Sequence, residues 1–324
     1  MSRETDSRDP DSDAALRELF ARAAPRPAPP TADEAEIRSA IYAEWDAATG
    51  RRVLLRRASL GVAAAALVAS VVVLVVGTAT GPQPAVATVE RVQGDVEIAG
   101  MSAPQVGSVV SAEARVATHG GRLALRLADG GSLRLAAQTE LTLTASNQAE
   151  LHTGALYFDS EQDAAGSRFA IRTAFGMLRD MGTQFSAQLH ADRLEIGVRE
   201  GYVALARGTE DVAAAAGERV TVPRAAGGVR REPLPSFGDD WAWAERLAPP
   251  FEIDGRHPIE FLQWVAAQTG RSLVFSTPAA ERIARESVLV GSIDLEPLPK
   301  LAAVLTLTDL DYVIDGESIV ISEK

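Results

Sequence analysis

The chain has 324 residues, room for more than one domain, and its 32 Lys+Arg against 44 Asp+Glu give a net charge of −12. That balance argues against nucleic acid as a direct partner, because phosphate neutralisation needs clustered cations. With no cysteine, disulfides, thiolate metal sites and cysteine nucleophiles are excluded too. The histidines His119, His152, His190 and His257 are scattered with no i,i+4 pair, so neither a metal site nor a cofactor is expected.

Residues 1–57 read as two short amphipathic helices joined by a proline connector. In the first, Leu16, Leu19 and Phe20 fall at i, i+3 and i+4 behind the capping residues Asp11, Ser12 and Asp13. "PRPAPP" then forces an extended link. In the second, Thr31 and Glu34 have capping-box spacing, and Ile37, Ile41 and Trp45 recur every four residues. Two helices this short bury too little to stand alone. Their apolar faces dock on a partner, on each other or on the membrane surface.

Ala58 to Thr80 runs 23 residues without a charge, about 35 Å as a helix, which matches a hydrocarbon core of about 30 Å. A buried soluble helix is the alternative, but the run has no polar face. Arg51, Arg52, Arg56 and Arg57 precede it, and no basic residue follows until Arg91. The predicted topology therefore keeps the N-terminus inside. "AVA" at 85–87 resembles a signal cleavage site, but the polar stretch ahead of the run is far too long for a signal n-region.

From Ala87 to about Val222 the hydrophobic pattern has period two. "RLALRLADGGSLRL" reads as a hairpin turning at Asp129-Gly130-Gly131, and "ELTLTA", "GALYFD", "RFAIRT", "QFSAQL", "RLEIGV" and "GYVALA" repeat the theme. Strands so short and regular predict an all-β domain, sandwich or solenoid-like, over 85–225. A Pro/Gly-rich stretch at 226–248 reads as a linker.

Residues 249–324 change texture. "FEID" reads as a strand, "PIEFLQWVAAQTG" as a helix with Pro at its start and Gly270 past its end, and "SLVFS" and "SVLVGSIDL" as strands. "LPKLAAVLTLT" reads as a second helix and "YVIDGESIVI" as a hairpin turning at Asp315-Gly316. The expected order is β-α-β-β-α-β-β, an α+β module. Within it, Val288, Leu289 and Val290 are the candidate strand edge for pairing with a partner, or else an internal strand.

Several of these stretches together resemble the FecR family of transmembrane sigma-factor regulators: "VERVQGDVEI", "GGRLALRLADGGSLRLAAQTEL", "GALYF" and "TAFGMLRDMGTQFSAQLHADRLEIGVREGYVAL". Gly182, Thr183, Phe185, Val198, Glu200, Gly201 and Val203 carry the most specific part. Residues 249–324 look like the short secretin/TonB N-terminal module that ends many members.

The resemblance implies a single-pass protein of the bacterial inner membrane. Its cytoplasmic helical segment (1–57) holds an extracytoplasmic-function sigma factor, with Leu16, Leu19, Phe20, Ile37, Ile41 and Trp45 as the interface. Its periplasmic domains sense a partner, often the signalling domain of a TonB-dependent receptor, and regulated intramembrane proteolysis is a family expectation. The chain departs from the family at its N-terminus, where two short helices replace a longer helical domain. The lack of cysteine also excludes the zinc-binding type of anti-sigma domain. A membrane-anchored periplasmic scaffold without sigma control is the alternative, and an envelope hydrolase a third reading.

No conventional enzyme is expected, because no nucleophile elbow, paired histidines or phosphate loop is present. Asp192, Glu195 and Glu200 alternate along a strand, as on a solvated face. Gly182-Thr183 stands apart, since some family members split their own chain at a Gly-Thr bond here. In a strained turn the Thr hydroxyl attacks the Gly carbonyl to give a hydrolysable ester. The simpler reading is a tight turn opening the strand "TQFSAQL".

Overall fold

The structure is a computed structural model that describes residues 83–160, 169–208, 210–225 and 228–324. Leu16, Leu19, Phe20, Ile37, Ile41 and Trp45, expected at the sigma interface, the orienting Arg51, Arg52, Arg56 and Arg57, and the apolar run 58–80 lie outside the described residues. Among the described residues no helix is long and apolar enough to cross a membrane. Pro82–Lys324 forms one compact unit.

The period-two pattern becomes two sheets around one core. The first contains β1 (Ala85–Gln93), β3 (Val109–Ser111), β5 (Arg122–Leu127), β6 (Ser132–Leu135), the second half of β8 (Gln148–Asp159), β11 (Gln184–Leu189), β12 (Arg193–Glu200), β15 (Glu218–Pro223) and β16 (Arg230–Pro233). The second contains β2 (Glu97–Ile98), β4 (Ala114–Ala117), β7 (Glu140–Ala145), the first half of β8, β9 (Ala170–Thr173), β10 (Gly176–Asp180), β13 (Tyr202–Arg207) and β14 (Glu210–Ala215).

All these pairs are antiparallel except β8–β9, which favours a sandwich over a stack of parallel coils. Inward residues such as Leu125, Leu133, Leu141, Leu156, Phe158, Phe185, Val198 and Val203 are fully buried and join in one cluster. Phe158 stacks on Phe169 at 4.5 Å and meets Phe185 edge-on at 5.9 Å. Strand β8 serves both sheets because it turns at Gly154, where φ is +88° and a Cβ would sit 2.5 Å from the Thr139 backbone.

The chain passes repeatedly from one sheet to the other, and the crossovers stack. Met181–Thr183 carries β10 into β11, Gly201 alone joins β12 to β13, and Ala216-Gly217 joins β14 to β15. The Ala216 amide donates to the Gly201 carbonyl at 3.1 Å, and the Gly217 amide to the Val198 carbonyl at 3.0 Å.

Of the expected linker at 226–248, the described residues 228–248 are instead built into the fold. After β16 comes helix α1 (Asp239–Glu245), which lies on the outer face of the first sheet. Trp241 is fully buried there with Tyr157, Leu234 and Ala244, and its indole N–H donates to the Pro235 carbonyl at 2.7 Å. Gly197 makes the room: a Cβ at that position would meet Leu234 at 2.7 Å. One buried tryptophan supplies enough apolar area to fix a Pro/Gly-rich stretch.

The C-terminal module contains α2 (Pro258–Thr269), β17 (Ser272–Phe275), α3 (Pro278–Glu286), α4 (Pro297–Thr306), β18 (Leu310–Asp315) and β19 (Ser318–Glu323). Its sheet runs β17-β19-β18, with β17 parallel and β18 antiparallel to β19. Pro258 opens α2, Gly270 ends it, and the terminal hairpin forms as expected.

Three stretches differ from expectation. "FEID" and "SVLVGSIDL" form no ladder. The turn that follows "FEID" exchanges one pair of hydrogen bonds with the second stretch, from the Gly255 amide to the Leu289 carbonyl and from the Leu289 amide to the Arg256 carbonyl. Residues 278–286, given no element from sequence, form α3. There the Thr277 hydroxyl caps the Ala280 amide, Pro278 takes the first turn, and Glu281 pairs with Arg285 one turn on.

Candidate functional site

The Gly182-Thr183 bond lies in a crossover between the sheets. Ladder pairs bracket it, Asp180 with Val203 on one side and Gln184 with Glu200 on the other. Gly182 is exposed and adopts φ +77°, with open space where a Cβ would point. Thr183 is 1% exposed. Its carbonyl accepts from the Ser160 amide at 3.1 Å, and its hydroxyl donates to Asp180 Oδ1. Gly201 presses on the back of the bond: a Cβ there would sit 2.4 Å from the Gly182 oxygen and 2.6 Å from Thr183 Cγ2.

That contact explains why the motif residues occur together. Gly182-Thr183 and Gly201 are neighbouring crossovers, while Phe185, Val198 and Val203 anchor the flanking strands in the core. The φ of Gly182, +77°, is relaxed for glycine and so matches the simpler reading of a tight turn that opens the strand.

Sequence reasoning missed Asp180, although "DMGT" carries the signal of a carboxylate able to fold back on the next amides. Asp180 is 2% exposed, and its Oδ2 is buried without a hydrogen bond. Burial pushes its carboxyl above the ordinary range, while the Thr183 hydroxyl and the amides of Thr183, Gly182 and Met181 pull the other way.

One residue further on, Gln184 leads to a second constellation. Its amide donates to Asp159 Oδ2 at 3.2 Å and to the Ala267 carbonyl at the end of α2 at 3.4 Å. Cross-strand register sets Arg134 beside Tyr157 on the sheet face that α1 covers. The Arg134 guanidinium is fully buried, 4.9 Å above the Tyr157 ring, and donates to the Ala244 carbonyl at 2.8 Å and to Gln268 Oε1.

Arg199 lies 4.6 Å over Trp241 and donates to the Gln268 carbonyl at 3.0 Å, to Glu245 at 2.9 Å and to the Tyr157 hydroxyl at 3.4 Å. Burial raises the Tyr157 phenol to about 12. It also raises Glu245 against the pull of Arg199. These charges tie the β domain to α1 and α2. Further out, Arg91 joins Asp294 and the Ala248 carbonyl. A groove of about 720 Å³ opens beside Gln184 and Arg199, with Glu200, Arg271 and Glu317 on its walls.

The strand-edge assignment to Val288, Leu289 and Val290 is corrected. They lie in an irregular segment, Leu289 is buried in the module core, and only Val288 and Val290 are exposed. Gly291 at φ +119° and the acidic, proline-containing stretch after it break the ladder. The edge strands of the module's own sheet are β17 and β18. Asp192 and Glu200 are exposed, as on a solvated face, and Glu195 is half-buried. Among the described residues no cluster of three His, Asp or Glu side chains is arranged to hold a metal ion.

Residues 114–204, from β4 into β13, match the family model described as FecR protein. Every residue of the "GTQF…VREGYV" motif lies inside the matched stretch. No curated protein sequence matches the chain. Among solved structures, two crystal structures of a candidate anti-sigma factor from Parabacteroides distasonis ATCC 8503, at 2.50 and 1.65 Å resolution, align at 18% identity with a TM-score of 0.34. They cover 64% of this chain and 97% of theirs, a likeness too low to establish a shared fold.

Proposed function

We propose that this chain is a single-pass inner-membrane regulator that binds an extracytoplasmic-function sigma factor on the cytoplasmic side and answers to a periplasmic or outer-membrane partner. The observation that carries the reading is the match to the FecR family model over residues 114–204. The uncharged run at 58–80 and the four arginines before it supply the anchor and its orientation. The module after Pro249 supplies the partner-facing end, in the manner of the secretin/TonB type. Co-purification of the full-length chain from membranes with each sigma factor of its host tests the proposal: capture of none favours the scaffold reading.

A second reading is that Gly182-Thr183 is cut by the chain itself. It is favoured by an exposed glycine joined to a threonine that is buried and whose hydroxyl is hydrogen-bonded. The intact mass of the purified full-length chain tests it, because cleavage gives two fragments that part at Gly182.

A further inference from the structure

A Gly-Thr bond does not break at a useful rate unaided. Relaxed geometry at Gly182 leaves no strain there to assist it, so a self-cutting bond needs a group that activates the hydroxyl. The hydrogen-bond partner of Thr183 Oγ is Asp180 Oδ1, within the same turn. The second Asp180 oxygen is buried without a hydrogen bond, so the carboxylate is poorly solvated and has unused capacity for a proton. Burial raises its proton affinity, which strengthens it as a base.

We propose that Asp180 is the general base of cleavage at Gly182-Thr183. Its carboxylate takes the Thr183 hydroxyl proton as Oγ attacks the Gly182 carbonyl carbon, closing an oxazolidine-type ring with the charge on the former carbonyl oxygen. The ring collapses by breaking the C–N bond. Asp180 then returns the proton to the departing Thr183 nitrogen, and an ester joins Gly182 to Thr183 Oγ. Water, which reaches the exposed Gly182, hydrolyses the ester. The products are a Gly182 carboxylate and a Thr183 with free amine and restored hydroxyl, at the net expense of one water. The inference rests on the self-cleavage reading above.

The test compares the full-length chain with its Asp180→Asn and Thr183→Ala variants, each tagged at both ends, following fragment appearance by immunoblot and intact mass. Asparagine keeps the turn's acceptor oxygen but takes up no proton, so a residue that merely shapes the turn would leave the rate unchanged. The expected result is cleavage between Gly182 and Thr183 in the parent chain, none in Thr183→Ala, and a rate at least about a hundredfold lower in folded Asp180→Asn. An uncut parent chain overturns the self-cleavage reading and the role of Asp180 with it. A parent chain and a folded Asp180→Asn chain that cleave equally fast overturn the role of Asp180 alone. If Asp180→Asn does not fold, Asp180→Ser is judged by the same two outcomes.

Discussion

Gly201 lies so close behind Gly182 that a methyl group added to it would stand 2.4 Å from the Gly182 carbonyl oxygen. With φ at +79°, a side chain there meets both an unfavourable backbone conformation and a collision with a neighbouring crossover. Gly201→Ala is therefore expected to destabilise the domain by roughly 1–3 kcal/mol from the backbone conformation alone, with the collision adding to that. Gly182→Ala has open space around its new methyl and bears only the backbone cost. Denaturant melts of both variants check the order: Gly201→Ala must be the less stable.

Cleavage at Gly182 would not release the two halves. Strand β11, on the C-terminal side of the bond, pairs with β8 over six residues from Gln184 to Leu189. Strand β10, on the N-terminal side, pairs with β13 from Met177 to Asp180. The fragments are expected to run together on gel filtration and to separate only in denaturant. Separation under native conditions would contradict the crossover geometry.

Arg199 and Glu245 form a nearly buried pair, with side chains 1% and 15% exposed and 2.9 Å between them. Removing one partner strands the other charge beneath α1. Arg199→Ala is expected to cost about 3–5 kcal/mol and to loosen the C-terminal module. Arg199→Met combined with Glu245→Leu is expected to recover much of that loss, since an apolar pair has no charge to desolvate. Melts of Arg199→Met, Glu245→Leu and the double variant, compared as a cycle, check the coupling.

Tyr157 gives the fold a signature in alkali. Its folded pKa is raised by burial to about 12, above the ordinary value near 10. The folded state therefore holds this proton after the unfolded chain has lost it. The contribution is fully present below about pH 10 and is lost as pH rises through the folded value, amounting to about 2–3 kcal/mol across that window. Tyr157→Phe removes the contribution at every pH. Its unfolding free energy is expected to fall less steeply than that of the parent chain between pH 10 and 12.

The β domain was legible because alternation survives in its strands: Leu123, Leu125, Leu133 and Leu135 point inward as their spacing requires. The junction was not legible, for the converse reason. Arg134 and Arg199 sit at the polar positions of their strands, which on one sheet alone mean solvent. They are buried only because α1 and α2 cover that face, and local sequence does not record such long-range covering. Helix α3 escaped notice because Ala280 and Ala284, its fully buried contacts, are too small to mark an apolar stripe. Gly182 and Thr183 were legible as a motif. Asp180, three residues before Thr183, became meaningful only when the turn brought its carboxylate onto the hydroxyl.

The central claim is control of a sigma factor through the first 57 residues. The most direct measurement is capture of sigma factors by the full-length, membrane-extracted chain, beside Leu16→Asp and Trp45→Asp variants that each place a charge among the apolar residues proposed as the interface. The account predicts that the parent chain retains one extracytoplasmic-function sigma factor and that both variants lose it while keeping the folded β domain. Retention of no sigma factor by the parent chain, or undiminished retention by both variants, would contradict it.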